Sequence, residues 1–220
     1  MFVEILKYVG VVLIGYFIGN INFARIISRF LKNDITQHGS GNPGTMNMLR
    51  TFGFKYGLLT LVLDVIKGAV SSIIGFYVFG GDMASNQSII GLYVGGLSCV
   101  LGHNFPIIYK FKGGKGVACI LGIYAVANPV WTLIAFAISF IYLCIFDYGA
   151  VASFIFITIL TVLESTKHTG CIPITCLLFV LFFMAWFMHR KNIARLLWGK
   201  ENKVNLKKAF KKKKLKNKEK

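Results

Sequence analysis

Three short polar segments of this chain carry the residue types that bind phosphate groups. They are residues 40–50, residues 102–116 and residues 189–201, and each contains amides, glycines or cations. Long apolar stretches separate the three segments. A water-soluble phosphate meets a lipid only where a membrane meets water, so this arrangement predicts phosphate chemistry at a membrane face.

The second segment has the composition of an anion-binding turn. Glycines at positions 113, 114 and 116 surround Lys115 just before an apolar stretch. Glycine allows the backbone N–H groups to converge, and the start of a helix attracts an oxyanion. The segment is not a nucleotide-binding P-loop, because Tyr109 stands where its first glycine would be and Gly116 where its hydroxyl would be. ATP hydrolysis is therefore not predicted, and a glycine-rich connector with interfacial lysines is the alternative.

The first segment supplies uncharged hydrogen-bonding groups followed by one cation. The uncharged groups belong to Ser40, Asn42, Thr45 and Asn47. Arg50 closes the segment, and its planar guanidinium can bind a phosphate through two parallel hydrogen bonds. The segment therefore predicts a site for a second phosphate group.

The third segment follows the last apolar stretch. His189, Asn192 and Arg195 are three residues apart, so a helix that continued through them would carry all three on one face. Such a face could simply anchor the helix at the membrane surface. A histidine and an asparagine beside an arginine favour a ligand site instead.

Composition predicts an integral membrane protein. The 220 residues are 55% hydrophobic with a mean hydropathy of +0.65, which exceeds what the core of a soluble protein of this size can hide. The net charge is +17, but 11 of the 25 lysines and arginines are lysines within residues 200–220. Nucleic-acid binding is not predicted, because basic residues beside apolar segments serve to orient them. The five cysteines have no metal-ligand spacing, and no metal is expected.

Seven apolar stretches approach the length of a transmembrane helix, which needs about 20 residues. They are residues 5–27, 54–80, 88–108, 116–128, 130–147, 149–164 and 172–189. The fourth and sixth stretches are short, so five or six helices is the alternative to seven. Lysines and arginines concentrate in alternate loops, which predicts, for seven helices, an N-terminus outside and a C-terminus in the cytoplasm. We therefore expect an all-α membrane domain over residues 1–199, followed by a basic, disordered cytoplasmic tail over residues 200–220.

Two further patterns concern the interior of the helix bundle. Asp64 and Lys67 lie three residues apart on the second stretch, so they share a helix face near mid-membrane and should pair with each other or with a polar partner. A structural and a functional pair are equally compatible with this spacing. Glycines four residues apart predict close helix packing, at Gly15 and Gly19 and at Gly91 and Gly95.

The three segments together resemble the three signature motifs of the bacterial membrane acyl-phosphate:glycerol-3-phosphate acyltransferases. These motifs read S-G-N-x-G-x-x-N-x-x-R, then G-H-x-F-P with F-K-G-G-K-G-V-A, then H-x-x-N-x-x-R-L-x-x-G-x-E. All the fixed positions are present, in order, between residues 34 and 201. The chain departs from the family's common pattern at Met46 and Cys119, and each departure removes a threonine hydroxyl. The departures concern contacts to the acyl phosphate rather than the class of reaction.

The resemblance implies a reaction and a set of site residues. Acyl transfer from acyl phosphate to the sn-1 hydroxyl of glycerol 3-phosphate would give lysophosphatidic acid and phosphate, at the cytoplasmic face of the bacterial plasma membrane. The implied partners are the two substrates, glycerol 3-phosphate and acyl phosphate, and membrane lipids. No cofactor, nucleic acid or obligate protein partner is expected. The implied catalytic residues are Ser40, Arg50, Lys115, His189 and Asn192. The implied substrate-binding residues are Asn42, Gly44, Thr45, Asn47, His103, Gly113, Gly114, Gly116, Arg195 and Glu201.

Two questions stay open at the level of sequence. The proton of the attacking hydroxyl could pass to His103, to His189 or to a substrate phosphate oxygen, and the resemblance implies the phosphate. A transporter or flippase for an organic phosphate or an anionic lipid is the alternative function. Against it, the chain shows no internal repeat of the kind that many transporters have. The acyl-CoA type of glycerolipid acyltransferase is not predicted, because no His-x₄-Asp pair exists in the chain.

Overall fold

The computed structural model describes residues 1–206, and this part of the chain consists of helices and their connections. The helices are α1 (Phe2–Asn20), α2 (Phe23–Phe30), α3 (Thr45–Phe52), α4 (Phe54–Val78), α5 (Asn86–Asn104), α6 (Val117–Ala127), α7 (Pro129–Phe146), α8 (Gly149–Lys167), α9 (Ile172–Met188) and α10 (Arg190–Leu197). Helices α2, α3 and α10 are short and contain the polar residues that flank the apolar stretches.

Every one of the seven predicted apolar stretches is helical, but they differ in length. By length and composition, five helices of the described chain can cross a membrane, and the number is six if the bent pair of α9 and α10 counts as one span. Helix α6 has 11 residues and is therefore only about 16 Å long. The described part of the chain is thus that of an all-helical, multi-pass membrane protein, and the fourth stretch is short, as its length in the sequence predicts.

The long helices run between two ends of the bundle. At one end, which we call the motif end, the Tyr16 hydroxyl of α1 donates to the Phe105 carbonyl after α5, at 2.9 Å. At the opposite end, the Gln87 amide at the start of α5 donates to the Tyr8 hydroxyl near the start of α1, at 3.0 Å. Helices α1 and α5 therefore enter the motif end with their carboxyl termini.

Glycines allow α1, α4 and α5 to pack with their backbones close together. A methyl group on Gly19 would overlap the Cys99 carbonyl, and one on Gly95 would overlap the Ser71 carbonyl. Gly15 has the same relation to the Gly95 carbonyl. The prediction that the glycine pairs of the first and third stretches serve helix packing is confirmed, and the reason is that no side chain fits at these positions.

The predicted pair of Asp64 and Lys67 forms inside the bundle. The Lys67 Nζ atom lies 3.0 Å from Asp64 Oδ1, and both side chains are buried. Lys67 also donates to the carbonyls of Gly19 and Ile21, at 3.2 and 2.7 Å. These contacts join α4 to the carboxyl end of α1. Mutual pairing satisfies two charges that would each be costly alone at this depth.

Residues 201–206 form an extended strap across the motif end. Val204 N donates to the Asp147 carbonyl at 2.9 Å, and Leu206 N donates to Asp147 Oδ1 at 3.1 Å. The Val204 and Leu206 side chains are buried against Leu49 and Leu143. The expectation of a disordered tail from residue 200 is therefore wrong for the strap. The rest of that tail, residues 207–220, lies outside the described residues.

The close approach of α1 and α5 yields a prediction about stability. Gly19→Ala places a methyl group against the Cys99 backbone and should lower the free energy of unfolding by about 1–3 kcal/mol. Gly10→Ala, on the same helix, is the matched control, because no described residue outside the local helix backbone lies within 4 Å of the added methyl group. Thermal unfolding in detergent measures both. Equal melting temperatures for the two variants would contradict the packing described for α1.

A second prediction concerns the strap. A chain that ends at Lys203 loses the buried Val204 and Leu206 side chains, and each can contribute about 1.5–3 kcal/mol. We expect this chain to melt at a clearly lower temperature than one that ends at Leu206. Identical melting of both truncated chains would show that the strap does not stabilise the bundle.

Candidate functional site

The motif end contains a cavity of about 410 Å³ that collects most of the predicted site residues. The segment before α3, the loop between α5 and α6, the junction of α9 with α10 and the strap all contribute to its wall. The predicted residues that line it are Ser40, Asn42, Gly44, Thr45, Asn47, Arg50, His103, Lys115, Gly116, His189, Asn192, Arg195 and Glu201. Residues as far apart in sequence as Ser40 and Glu201 thus meet at one place.

A chain of charged and amide groups crosses the polar part of the cavity. Lys115 Nζ donates to Asn192 Oδ1 at 2.5 Å, and Asn192 Nδ2 donates to Glu201 Oε1 at 2.6 Å. Arg195 Nε donates to the other oxygen of the same carboxylate, at 2.9 Å. The amide can accept from the ammonium only with its oxygen and donate to the carboxylate only with its nitrogen, so Asn192 has one possible orientation.

Lys115 is a half-buried cation whose charge depends on its surroundings. Burial lowers the pKa of Lys115 to about 8, Glu201 opposes the shift, and Arg195 and Arg50 add to it. A dianionic phosphate in the cavity would favour the charged form and raise this pKa. The site thus holds a cation that is poorly neutralised by protein groups, which suits it to bind an anion.

His189 lies at a break between two helices rather than inside one. Helices α9 and α10 are bent by 56° at this residue, so the prediction that the last apolar helix continues straight through residues 189–195 is wrong. His189, Asn192 and Arg195 nevertheless all line the same cavity, as their spacing predicts. His189 Nδ1 lies 2.8 Å from the Ala185 carbonyl, which can only accept. Nδ1 therefore carries a proton, and Nε2 of the neutral ring is a hydrogen-bond acceptor.

Asn47 holds the first polar segment, residues 40–50, in place through hydrogen bonds to the backbone. Its Nδ2 donates to the carbonyls of Ile35 and His38, and its Oδ1 accepts from Ser40 N. The amide makes these three hydrogen bonds while it is buried. The expectation that Asn47 offers a free amide to substrate is therefore wrong. Its role in the structure is to hold Ser40 at the cavity wall.

The glycine loop, which we define as residues 113–116, differs from the expected anion-binding turn. Gly113 N donates to the Asn104 carbonyl at 3.2 Å, and Gly114 N donates to the His103 carbonyl at 3.0 Å. These two N–H groups are thus occupied, and neither residue lines the cavity. The predicted convergence of their N–H groups on an oxyanion is wrong. Gly116, with φ of +79°, turns the chain into α6, and the first residues of that helix line the cavity.

Arg50 is bound to the strap. Its Nε donates to the Lys203 carbonyl at 3.2 Å, and its Nη2 donates to the Asn202 carbonyl at 3.4 Å. The guanidinium therefore fixes the strap over the cavity and keeps N–H groups for a ligand.

Sequence reasoning missed the strap residues that line the cavity, Asn202, Val204 and Leu206. The sequence signals them only by the alternation of two apolar residues, Val204 and Leu206, with polar ones in a lysine-rich segment.

A buried group beside the cavity has metal-ligating residue types but does not suit a metal. Among the described residues, ligand atoms of Asp64, His103 and Cys119 lie within 4.8 Å of one another. Lys67 Nζ is 3.0 Å from Asp64 Oδ1 and 2.8 Å from His103 Nδ1. The ammonium already supplies the positive charge at this place, and a second cation would be repelled.

The other part of the cavity is apolar. Its walls come from α4, α7 and α8, with Leu61, Phe136, Leu143 and Phe156 among the lining side chains. Leu58 on α4 and Phe140 on α7 also line it, and they are 44% and 45% exposed on the outside of the bundle. The cavity therefore continues from its cationic end to the apolar, lipid-facing surface between α4 and α7.

The sequence matches the family model "Glycerol-3-phosphate acyltransferase" over residues 9–199. A glycerol-3-phosphate acyltransferase of Thermoanaerobacter sp. (strain X514) is 36% identical over 200 residues, which cover 90% of this chain and 96% of the relative. One of Clostridioides difficile (strain 630) is 34% identical, with 93% and 99% covered.

Solved structures agree with these relatives. The chain resembles PlsY (YgiH), an integral membrane glycerol 3-phosphate acyltransferase, in its glycerol 3-phosphate form, with a TM-score of 0.80 and 32% identity. The similarity covers 89% of this chain and 94% of that one. The lysophosphatidic acid form of the same enzyme gives a TM-score of 0.79 at 31% identity. From its motifs, its helical fold and these similarities, the chain belongs to the glycerol-3-phosphate acyltransferase family of integral membrane enzymes.

Proposed function

We propose that this cavity transfers an acyl chain from an acyl phosphate to the sn-1 hydroxyl of glycerol 3-phosphate, forming lysophosphatidic acid and phosphate. The observation that carries the proposal is the joining of a cationic, hydrogen-bonding end to an apolar part that opens towards lipid. A phosphate ester with a long alkyl chain matches this cavity, because its phosphate suits the cationic end and its alkyl chain suits the apolar part. The names of the relatives support glycerol 3-phosphate as the acceptor.

The chemistry needs positioning and charge stabilisation more than a protein nucleophile. The sn-1 oxygen attacks the carbonyl carbon of the acyl phosphate, the bond between that carbon and the phosphate oxygen breaks, and the hydroxyl proton leaves with the phosphate. An acyl phosphate is a mixed anhydride with a good leaving group, so holding the two anions in register removes much of the barrier. Fixed cations then stabilise the charge on the departing phosphate.

We assign the two substrates to different parts of the polar end. Ser40, Arg50, Lys115, His189 and Asn192 surround the site for glycerol 3-phosphate. The acyl phosphate occupies the side formed by Asn42, Gly44, Thr45 and the loop that ends at Gly116, and its chain follows the apolar wall. Arg195 and Glu201 support the glycerol 3-phosphate site because they hold Asn192 in place.

His189 receives a specific role in this proposal. Its Nε2 is an acceptor because its Nδ1 is bound to the Ala185 carbonyl. In the cavity, Nε2 can accept the hydrogen bond of the attacking hydroxyl and orient the oxygen lone pair towards the acyl carbon. The proton itself passes to the phosphate oxygen that leaves.

We further propose seven membrane passes, with the N-terminus outside and the cavity at the cytoplasmic face of the plasma membrane. The motif end collects the carboxyl ends of α1, α5, α7 and α9, which supports this number of passes. Helix α6 then passes between the two ends as a short helix. The basic residues of the motif loops support the inner location. No protein partner is part of this proposal.

The direct test uses the purified full-length protein with glycerol 3-phosphate and an acyl phosphate. We expect lysophosphatidic acid and phosphate in equal amounts, without ATP and in the presence of a chelator. Mass spectrometry detects the lipid, and a phosphate assay follows the leaving group. Transport of either substrate into vesicles without product would contradict the proposal and favour a transporter.

Removal of the central cation yields a third prediction. Lys115→Ala should lower kcat/KM by about a hundredfold or more, because it removes charge stabilisation at the site of transfer. Lys112→Ala is the matched control, since Lys112 lies in the same loop with its side chain exposed. Activity of the Lys115 variant within threefold of the parent, at equal amounts of folded protein, would exclude the assigned role.

A fourth prediction follows from the pKa of Lys115. Because that pKa is lowered to about 8, the ammonium is present below this pH and is lost above it. We expect kcat/KM for glycerol 3-phosphate to fall as the pH rises through about 8, when acyl phosphate is kept well below its KM so that the parameter reports on the free enzyme. Lys115→Arg should abolish this fall, since arginine stays charged.

Controls for the pH profile are straightforward. Spontaneous hydrolysis of the acyl phosphate is measured without protein at each pH and subtracted. An unchanged inflection in the arginine variant would assign it to another group. A parent profile that is flat to about pH 10, near the ordinary pKa of lysine, would contradict the lowered pKa.

A further inference from the structure

The environment of Lys67 determines the protonation of a neighbouring histidine. Lys67 Nζ lies 2.8 Å from His103 Nδ1, and both side chains are buried. The ammonium is held there by Asp64 Oδ1 and by the carbonyls of Gly19 and Ile21. An ammonium group only donates hydrogen bonds, so His103 Nδ1 must accept. The proton of the neutral ring is then on Nε2.

The Nε2 side of His103 faces the glycine loop. A methyl group on Gly114 would overlap Nε2, and the Cε1 and Cδ2 atoms of the ring lie just beyond it. The Gly114 N–H in turn donates to the His103 carbonyl. Loop and ring are therefore in direct contact, and only glycine fits at this position. His103 and Asp64 also line the cavity, so this buried group reaches the proposed site.

The two histidines of the cavity thus have opposite hydrogen-bonding character. The Ala185 carbonyl leaves His189 with an acceptor at Nε2, whereas Lys67 leaves His103 with a donor at Nε2. A donor suits a phosphate oxygen, and an acceptor suits a hydroxyl. This difference also removes His103 from the possible proton acceptors, because neither of its nitrogens has a free lone pair.

We infer that Asp64 and Lys67 are positioning residues that hold His103 as the Nε2–H tautomer, and that this N–H donates a hydrogen bond to a substrate phosphate beside the glycine loop. The second half of this inference rests on the proposed function. The first half concerns the protein alone. Asp64 acts by keeping the buried ammonium paired, and Lys67 acts by occupying Nδ1. The pair is therefore both a structural and a functional element of the site.

The tautomer is measured without any substrate. The full-length protein is labelled with ¹⁵N-histidine, and the His103 signals are identified by their loss in His103→Gln. We expect the shift of an unprotonated nitrogen for Nδ1 and that of a protonated nitrogen for Nε2. Lys67→Met should abolish this preference. A proton on Nδ1 in the parent protein would overturn the inference whether or not the protein is an acyltransferase.

Kinetics test the donor. His103→Leu should raise KM for one phosphate substrate by about tenfold or more, the loss expected for a hydrogen bond to a charged group. Separate titrations of glycerol 3-phosphate and acyl phosphate identify which phosphate is bound. His103→Gln, which keeps an N–H donor, should recover part of the loss. Unchanged KM values for both substrates in folded His103→Leu would contradict the donor role.

A double-mutant cycle tests whether Lys67 acts through His103. The variant with both Lys67→Met and His103→Leu should have the KM of His103→Leu alone, because the two residues form one unit. Additive losses would overturn the positioning role. If Lys67→Met does not fold, the neutral pair Lys67→Met with Asp64→Asn replaces it, since this pair leaves no buried charge.

A matched control separates these effects from general loss of stability. Tyr93→Phe removes a buried hydrogen bond to Glu164, away from the motif end. It should lower the melting temperature and leave both KM values unchanged. A similar rise of KM in this variant would mean that the effect at His103 reflects stability alone. Absence of acyltransferase activity in the parent would reject the proposed function and leave the tautomer as measured.

Discussion

The structure depends on keeping the half-buried Lys115 ammonium charged at the polar end of the cavity. Its hydrogen-bond partner among the described residues is the Asn192 amide, which is oriented by Glu201. Glu201 in turn binds Arg195. This chain joins the glycine loop, α10 and the start of the strap, so the three parts can form the site only together. The cation keeps an unsatisfied preference for an anion, which a phosphate group can meet.

A second cation, Lys67, is buried in the bundle and is fully paired. Lys67 has a carboxylate, two carbonyls and an imidazole around it, and no ligand is needed to stabilise it. The contrast with Lys115 separates a structural cation from a binding cation. The two are connected through His103, which touches Lys67 on one side and the glycine loop on the other. Helix packing and substrate binding thus share one set of contacts.

The sequence predicted the features that depend on residue type and local spacing. The apolar helices, the ion pair of Asp64 with Lys67 and the close contact at Gly19 follow from such local rules. The bend at His189 did not, because a helical spacing of polar residues does not show whether the backbone continues. The inward orientation of Asn47 was also missed, since an amide can serve the backbone or a ligand equally well. Both depend on tertiary contacts.

A crystal structure with glycerol 3-phosphate and a non-hydrolysable acyl phosphonate bound together tests the role of Lys115. We expect a phosphate or phosphonate oxygen within about 3.2 Å of Lys115 Nζ, the range of a hydrogen bond. We also expect the alkyl chain along Phe136 and Phe140. Phosphate groups bound away from Lys115, with Asn192 still its only partner, would contradict this role.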